Sequence, residues 1–182
     1  MGVLNRASPV SRTLAVLLAV LMLAWAGWLW NARKTPLDYV VAKARRVAVM
    51  PACGWVPIKA SDIASFGFDT TDPAGWTTSK TAYLAFRATQ QTPWHVDLGV
   101  VAVVGSGVTV SADRGVPQPI PLQPIPGGKI VRLPLSPRTP DGVHVVTIRV
   151  ANPGSPSGHD LRWLGVAIAN LRVCDSPEHP GG

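Results

Sequence analysis

This sequence predicts an all-β domain, an antiparallel β-sandwich of jelly-roll-like form, preceded by a single N-terminal transmembrane helix. Three observations predict it. From about residue 47 onward, short apolar runs alternate with turn residues. Proline (18) and glycine (17) are abundant and no long helical period follows residue 47, which disfavours an α/β fold. Ahead of these runs lies one stretch without a charge, Thr13–Ala32.

Composition narrows the class further. Of 182 residues 47% are apolar and only 15% charged, which excludes disorder as the main state. The net charge of +7 is unevenly placed. Up to residue 46 seven Lys/Arg oppose the single acid Asp38, whereas beyond it ten oppose nine. The folded part is therefore almost neutral. Nucleic acid is excluded as a partner, because that would need a basic patch on the domain itself.

After a short tail (1–12), the run 13–32 has the core LAVLLAVLMLAWAGWLW. At 1.5 Å per residue a helix of this length covers roughly 30 Å, the hydrocarbon thickness of a bilayer. Trp25, Trp28 and Trp30 gather at its C-terminal end, where amphipathic rings favour the headgroup level. A cleaved signal peptide is the rival reading. Arg6 and Arg12 would form its n-region, and Ala24-Trp25-Ala26 its cleavage site. A retained anchor is expected, with the domain on the periplasmic side of the inner membrane. The basic flank Arg33, Lys34, Lys43, Arg45 and Arg46 argues for the opposite orientation.

Residues 33–46 read as a basic juxtamembrane helix or a stalk. Thr35, Pro36 and Asp38 make a helix start, and Leu37, Val40, Val41, Ala44 and Val47 repeat at helical spacing. The sandwich is then expected over 47–175, with a flexible tail at 176–182. Its candidate strands are Arg46–Met50, Ala64–Phe68, Lys80–Ala88, His95–Val104, Val108–Ala112, Lys129–Leu133, Val143–Ala151 and Leu161–Val173. Turn clusters such as Asp72-Pro73-Ala74-Gly75 and Pro140-Asp141-Gly142 separate them. The proline-rich stretch 115–128 reads as an extended loop or edge, since proline cannot donate within a central ladder.

Cys53 and Cys174 lie at the two ends of this domain, and first and last strands of a Greek-key sandwich are commonly neighbours. A disulfide between them is expected, which suits an oxidising compartment. It would close a loop of about 120 residues, worth roughly 5 kcal/mol in the chain-entropy view.

Two stretches carry a family resemblance. Residues Gly75-Trp76-Thr77-Thr78-Ser79-Lys80-Thr81-Ala82-Tyr83-Leu84 form the first, and Asp160-Leu161-Arg162-Trp163-Leu164-Gly165-Val166-Ala167-Ile168 the second. In this order they resemble a β-sandwich accessory domain of bacterial envelope proteins, often attached to membrane sugar or phosphoglycerol transferases. The resemblance covers about residues 60–175. It implies a jelly-roll-like accessory module and brings no catalytic residues. Read physically, Asp160 and Arg162 stand two apart at a strand start, placed to pair with each other or to cap turns. Gly165 within a strand signals a bulge or a close backbone approach.

The usual catalytic patterns are missing from the sequence. Its four histidines are scattered without metal-ligand spacing, so no metal site is expected. Glu178 is the only Glu, and neither G-x-S-x-G nor a phosphate-binding glycine loop is present. The chain reads as a non-enzyme that needs no cofactor. Binding remains. Trp55, Trp76 and Trp94 are the rings expected to stack on a sugar, with Arg87 and Asp97 as hydrogen-bonding neighbours. Trp163, inside the last strand, is expected to be less exposed than Trp94. The functional expectation is a membrane-anchored module that binds cell-envelope glycan or lipid-linked sugar. The alternative is an accessory or scaffold subunit docking on a membrane transferase without touching glycan.

Overall fold

The structure, a computed structural model, describes residues 9–32, 34–69, 71–88, 95–120, 128–137, 139–155 and 162–174, side chains excepted at 9–12, 30–31 and 140. It divides into two compact units, Met1–Thr35 and Pro36–Gly182.

The first unit is one helix, α1 (Pro9–Ala32). Its described side chains run from Thr13 to Leu29, with Ala32 beyond them. Leu14, Val16, Leu17, Leu18, Val20, Leu21, Met22 and Leu23 are each more than half exposed, and at 100° per residue the only sector they leave is filled by Ala15, Ala19 and Ala26, so the helix is apolar on every side. Among the described residues no helix is long and apolar enough to cross a membrane.

The second unit opens with α2 (Pro36–Ala44), where Pro36 takes the first position and Asp38 the first turn. Eleven strands follow among the described residues: β1 (Val56–Pro57), β2 (Ile63–Phe66), β3 (Phe68–Asp69), β4 (Gly75–Thr77), β5 (Thr81–Arg87), β6 (His95–Val103), β7 (Ser106–Ala112), β8 (Gln118–Pro119), β9 (Lys129–Pro134), β10 (Val143–Asn152) and β11 (Val166–Cys174). A 3-10 turn, Pro140–Gly142, precedes β10.

The strands form two antiparallel sheets. One runs β3-β4-β11-β6-β9, with β1 also paired to β11; the other runs β2-β5-β10-β7-β8. From β4 onward every connection except β7–β8 passes from one sheet to the other. This is the double-sheet jelly-roll arrangement, and it bears out the all-β expectation. The inner faces interdigitate in one core. Val96, Leu98 and Val100 of β6 and Leu171 and Val173 of β11 meet Leu84 and Phe86 of β5 and Val146, Ile148 and Val150 of β10.

Several boundaries differ from expectation. Arg46–Met50 forms no strand: α2 and the turn at Arg45–Arg46 delay the extended chain, and only an isolated parallel bridge, Val49 to Arg87, with Met50 N–H donating to Arg87 O (2.9 Å), is made there. α2 is no stalk element. Val40 and Ala44 are fully buried against Ala64, Ala85 and Val143 on the outward face of the β5–β10 sheet. The proline-rich segment contributes β8 at a sheet edge, where Pro119 sits without breaking a central ladder; residues 121–127 lie outside the described residues. The last strand begins at Val166, five residues later than expected. Trp163 therefore precedes the strand expected to hold it and is 70% exposed, while Trp94, the ring expected to be the more exposed, lies outside the described residues.

Candidate functional site

The site grows from the register of three strands. Along β6 the residues Val96, Leu98 and Val100 enter the core, so His95, Asp97 and Gly99 line the outward face. Asp97 faces Arg172 on β11 and Arg132 on β9, putting three charged residues in one row across the sheet. Arg132 donates from Nε to Asp97 Oδ1 (2.8 Å) and from Nη2 to Oδ2 (3.0 Å), a bidentate fork. Arg172 donates from Nε to Oδ2 (2.9 Å), and His95 Nε2 lies 3.7 Å from the same oxygen.

Asp97 is fully buried although it faces outward, because these neighbours lie over it. Burial pushes its carboxyl up, but the hydrogen bonds from Arg132 and Arg172 outweigh that and hold it below the ordinary carboxylate value. The carboxylate is thus ionised and fixed at neutral pH.

Arg172 also lies under a tryptophan. Its Cζ is 4.8 Å from the ring centroid of Trp55, a cation–π contact. Trp55 is 40% exposed. It is carried on the segment before β1, and that segment is tied to β11 four times over. Cys53 N–H donates to Val173 (2.8 Å), Ala52 bridges Val173, Val56 pairs with Leu171, and Cys53 is disulfide-bonded to Cys174 with Cα atoms 4.6 Å apart. The expected disulfide is present and sits two residues from both Trp55 and Arg172. In the next row, a side chain on Gly99 would collide with Asn170 Oδ1, so glycine lets the half-buried Asn170 lie across β6. Ile130 and Val101 complete this face and are 54% and 40% exposed.

The other residues singled out in the sequence are distributed differently. Trp76 is half-buried on β4, opposite Ala167 of β11 and Asp69 of β3, in the same sheet but farther along β11. Arg87 ends β5 in the opposite sheet, beside Val143, and so does not belong with Asp97. Trp94 and Asp160 lie outside the described residues. Arg162 bonds Asp69 Oδ2 (3.0 Å). The backbone N–H of Thr71, its hydroxyl and Arg162 hold the Asp69 carboxyl below its usual value. Gly165 lies against Val150 and Thr77, and any Cβ there would strike both side chains. Its N–H donates to Thr77 O (3.1 Å), and the Thr77 hydroxyl accepts from Val166 N–H (2.9 Å).

Sequence reasoning missed the partners Arg132 and Arg172 and a second, partly buried carboxylate, Asp113. The latter accepts from His144 Nδ1 (3.0 Å) and from the backbone N–H groups of Ser136 (2.9 Å) and Val145 (3.0 Å). Burial raises its pKa, yet these bonds, His144 first, bring it below the usual range. His144 in turn stacks on Phe86, ring centroids 5.8 Å apart. One local signal existed: Arg132 and Arg172 are the single arginines of β9 and β11, strands that are apolar apart from Lys129 and Asn170. Among the described residues no group of His, Cys, Asp and Glu could hold a metal ion. No known family, curated protein or solved structure matches the chain.

Proposed function

We propose that this chain is a membrane-anchored, non-catalytic jelly-roll module that binds cell-envelope glycan on the outward face of the β6–β11 sheet. The observation that carries this reading is Trp55, part-exposed and stacked on Arg172, near the Asp97–Arg132 fork and the Asn170 amide. A ring for the apolar face of a sugar, next to charged and amide groups for its hydroxyls, is the usual composition of such a site. A rigid platform limits the side-chain entropy lost on binding.

The anchor is α1. A helix apolar on every side needs an apolar surrounding, and the uncharged run from Thr13 to Ala32 has the length of a bilayer core. The Cys53–Cys174 disulfide favours the periplasmic side of the inner membrane for the domain. The resemblance carried by residues 75–84 and 160–168 to an envelope accessory domain points the same way.

The test is glycan-array binding by the full-length protein in a non-ionic detergent. Binding that falls at least about tenfold in Trp55→Ala, with the melting temperature within a few degrees of wild type, supports the reading. Binding unchanged by Trp55→Ala overturns it.

A second reading has its own observation. Ile130 and Val101 are apolar and exposed on the same face, and β9 is a sheet edge. An accessory subunit docking on a membrane transferase would cover these side chains. Loss of a co-purifying membrane enzyme in Ile130→Asp, with an empty glycan array, would select this second reading.

A further inference from the structure

The outward face of the other sheet carries a second feature. α2 covers the β2–β5 side through Val40 and Ala44, but it does not cover all of β10. Beside it opens a cleft of about 560 Å³, lined by α2, β10, the turn after β7 and the loop after β9. This is the size range of small-ligand sites. Its apolar lining is Leu37 and Val41 of α2 with Val143 and Val145 of β10, and Thr147 extends the β10 row.

The polar lining consists of Arg45, Asp113, Arg114, Ser136 and Thr139. Most of these groups are engaged. Asp113 is taken up by His144 and two backbone N–H groups, and Arg45 Nε bonds Asp141 Oδ2 at 3.1 Å. Arg114 is exposed and makes no ion pair among the described residues. The cleft therefore joins an apolar trough to a cation that no acidic group among the described residues neutralises. The hydroxyls of Ser136 and Thr139 lie in the same lining.

We propose that this cleft holds an anionic phospholipid, its acyl part along Leu37, Val41, Val143 and Val145 and its phosphate toward Arg114. Charge complementarity selects an anionic headgroup over a zwitterionic one, and the apolar trough selects a lipid over free phosphate. The source of such a ligand is at hand on the reading of α1 as an anchor, on which this proposal rests. α2 begins at Pro36, four residues past the end of α1 at Ala32.

The test uses the full-length protein in a non-ionic detergent, followed by tryptophan-fluorescence melting. Three probes are titrated: dihexanoyl phosphatidylglycerol, dihexanoyl phosphatidylcholine and inorganic phosphate. The phosphatidylglycerol is expected to stabilise saturably, by roughly 5–10 °C at a hundredfold excess over its Kd. The phosphatidylcholine binds about tenfold more weakly and phosphate alone does not stabilise. Arg114→Glu, at an exposed position, leaves the unliganded melting temperature in place and weakens phosphatidylglycerol about tenfold. Val145→Trp fills the trough and abolishes the shift. Equal shifts from all three probes, no saturation, or an Arg114→Glu curve superimposable on wild type would overturn the proposal. Alkaline carbonate extraction reads the anchor separately. Release of the protein together with saturable lipid binding sinks only the anchor; retention without lipid binding sinks only the cleft.

Discussion

Two carboxylates are withdrawn from solvent, Asp97 on the outward face of one sheet and Asp113 at a strand end of the other, and they are compensated by different means. On the β6–β11 face Asp97 is held by two guanidinium groups, Arg132 and Arg172. At the end of β7 Asp113 is held by His144 and two backbone N–H groups. Position in the sheet accounts for the difference. Asp97 lies mid-strand between two paired neighbours, where ladder bonds occupy the backbone donors, so only side chains can serve it. Asp113 stands in the turn just after β7, with φ +50°, where the β7–β10 ladder ends and N–H groups are open to a side chain. A buried charge in the middle of a sheet thus needs arginines from adjacent strands, whereas one at a strand end can be met by the backbone.

The largest effect is expected from Asp97→Asn. The substitution keeps the shape but leaves two arginines facing an uncharged amide. Removing one member of a buried ion pair costs about 3–5 kcal/mol, to be read as a lower denaturant midpoint at unchanged slope. A loss below about 1 kcal/mol, the range of exposed pairs, would show that solvent already screens this row.

Replacing Cys53 and Cys174 together by Ser removes the closure of a 121-residue separation on the same face. A loss of about 2–4 kcal/mol is expected, with quenching of Trp55 by acrylamide increased as its segment loosens. Quenching that stays at the wild-type level would mean that the β1–β11 pairing alone holds Trp55 over Arg172.

Asp113→Asn is expected to cost less, about 1–3 kcal/mol, since most of its partners are neutral donors left unsatisfied rather than fixed charges. Acid sensitivity belongs to both carboxylates. Both carboxyls titrate below their ordinary value of 3.8 in the folded state. Their stabilisation is therefore complete above that value and is lost as pH falls further through the depressed folded pKa values. Stability measured by denaturation should lose this contribution only below about pH 4, and each Asn variant should flatten part of that acid limb. An acid limb as steep in both variants as in wild type would assign it to other groups. The smallest effect is that of Trp55→Ala on stability, about 0.5–1 kcal/mol for the lost cation–π contact. A much larger loss would make Trp55 a structural ring and weaken its candidacy as a binding platform.

The sequence was most legible where structure is local. The strands found at 81–87, 95–103, 106–112, 129–134 and 143–152 nearly coincide with runs visible from alternation and Gly/Pro punctuation. The helix start at Thr35-Pro36 was equally visible, because a cap and a proline act within one turn. The start of the last strand was not. Leu161–Gly165 is apolar enough to continue a strand, but Leu164 joins only an isolated bridge to Gly154, so Trp163 faces solvent.

By itself, then, the sequence determined the all-β class, the uncharged run of α1 and the single cysteine pair available for a bridge. Tertiary structure alone decided that Asp97 would meet Arg132, 35 residues away, and Arg172, 75 residues away, with Trp55 above them. Alternation places each of these side chains on a face of its own strand. Which strands become neighbours, and in what register, is set by burying all the inner faces in one core, and that is a property of the whole chain.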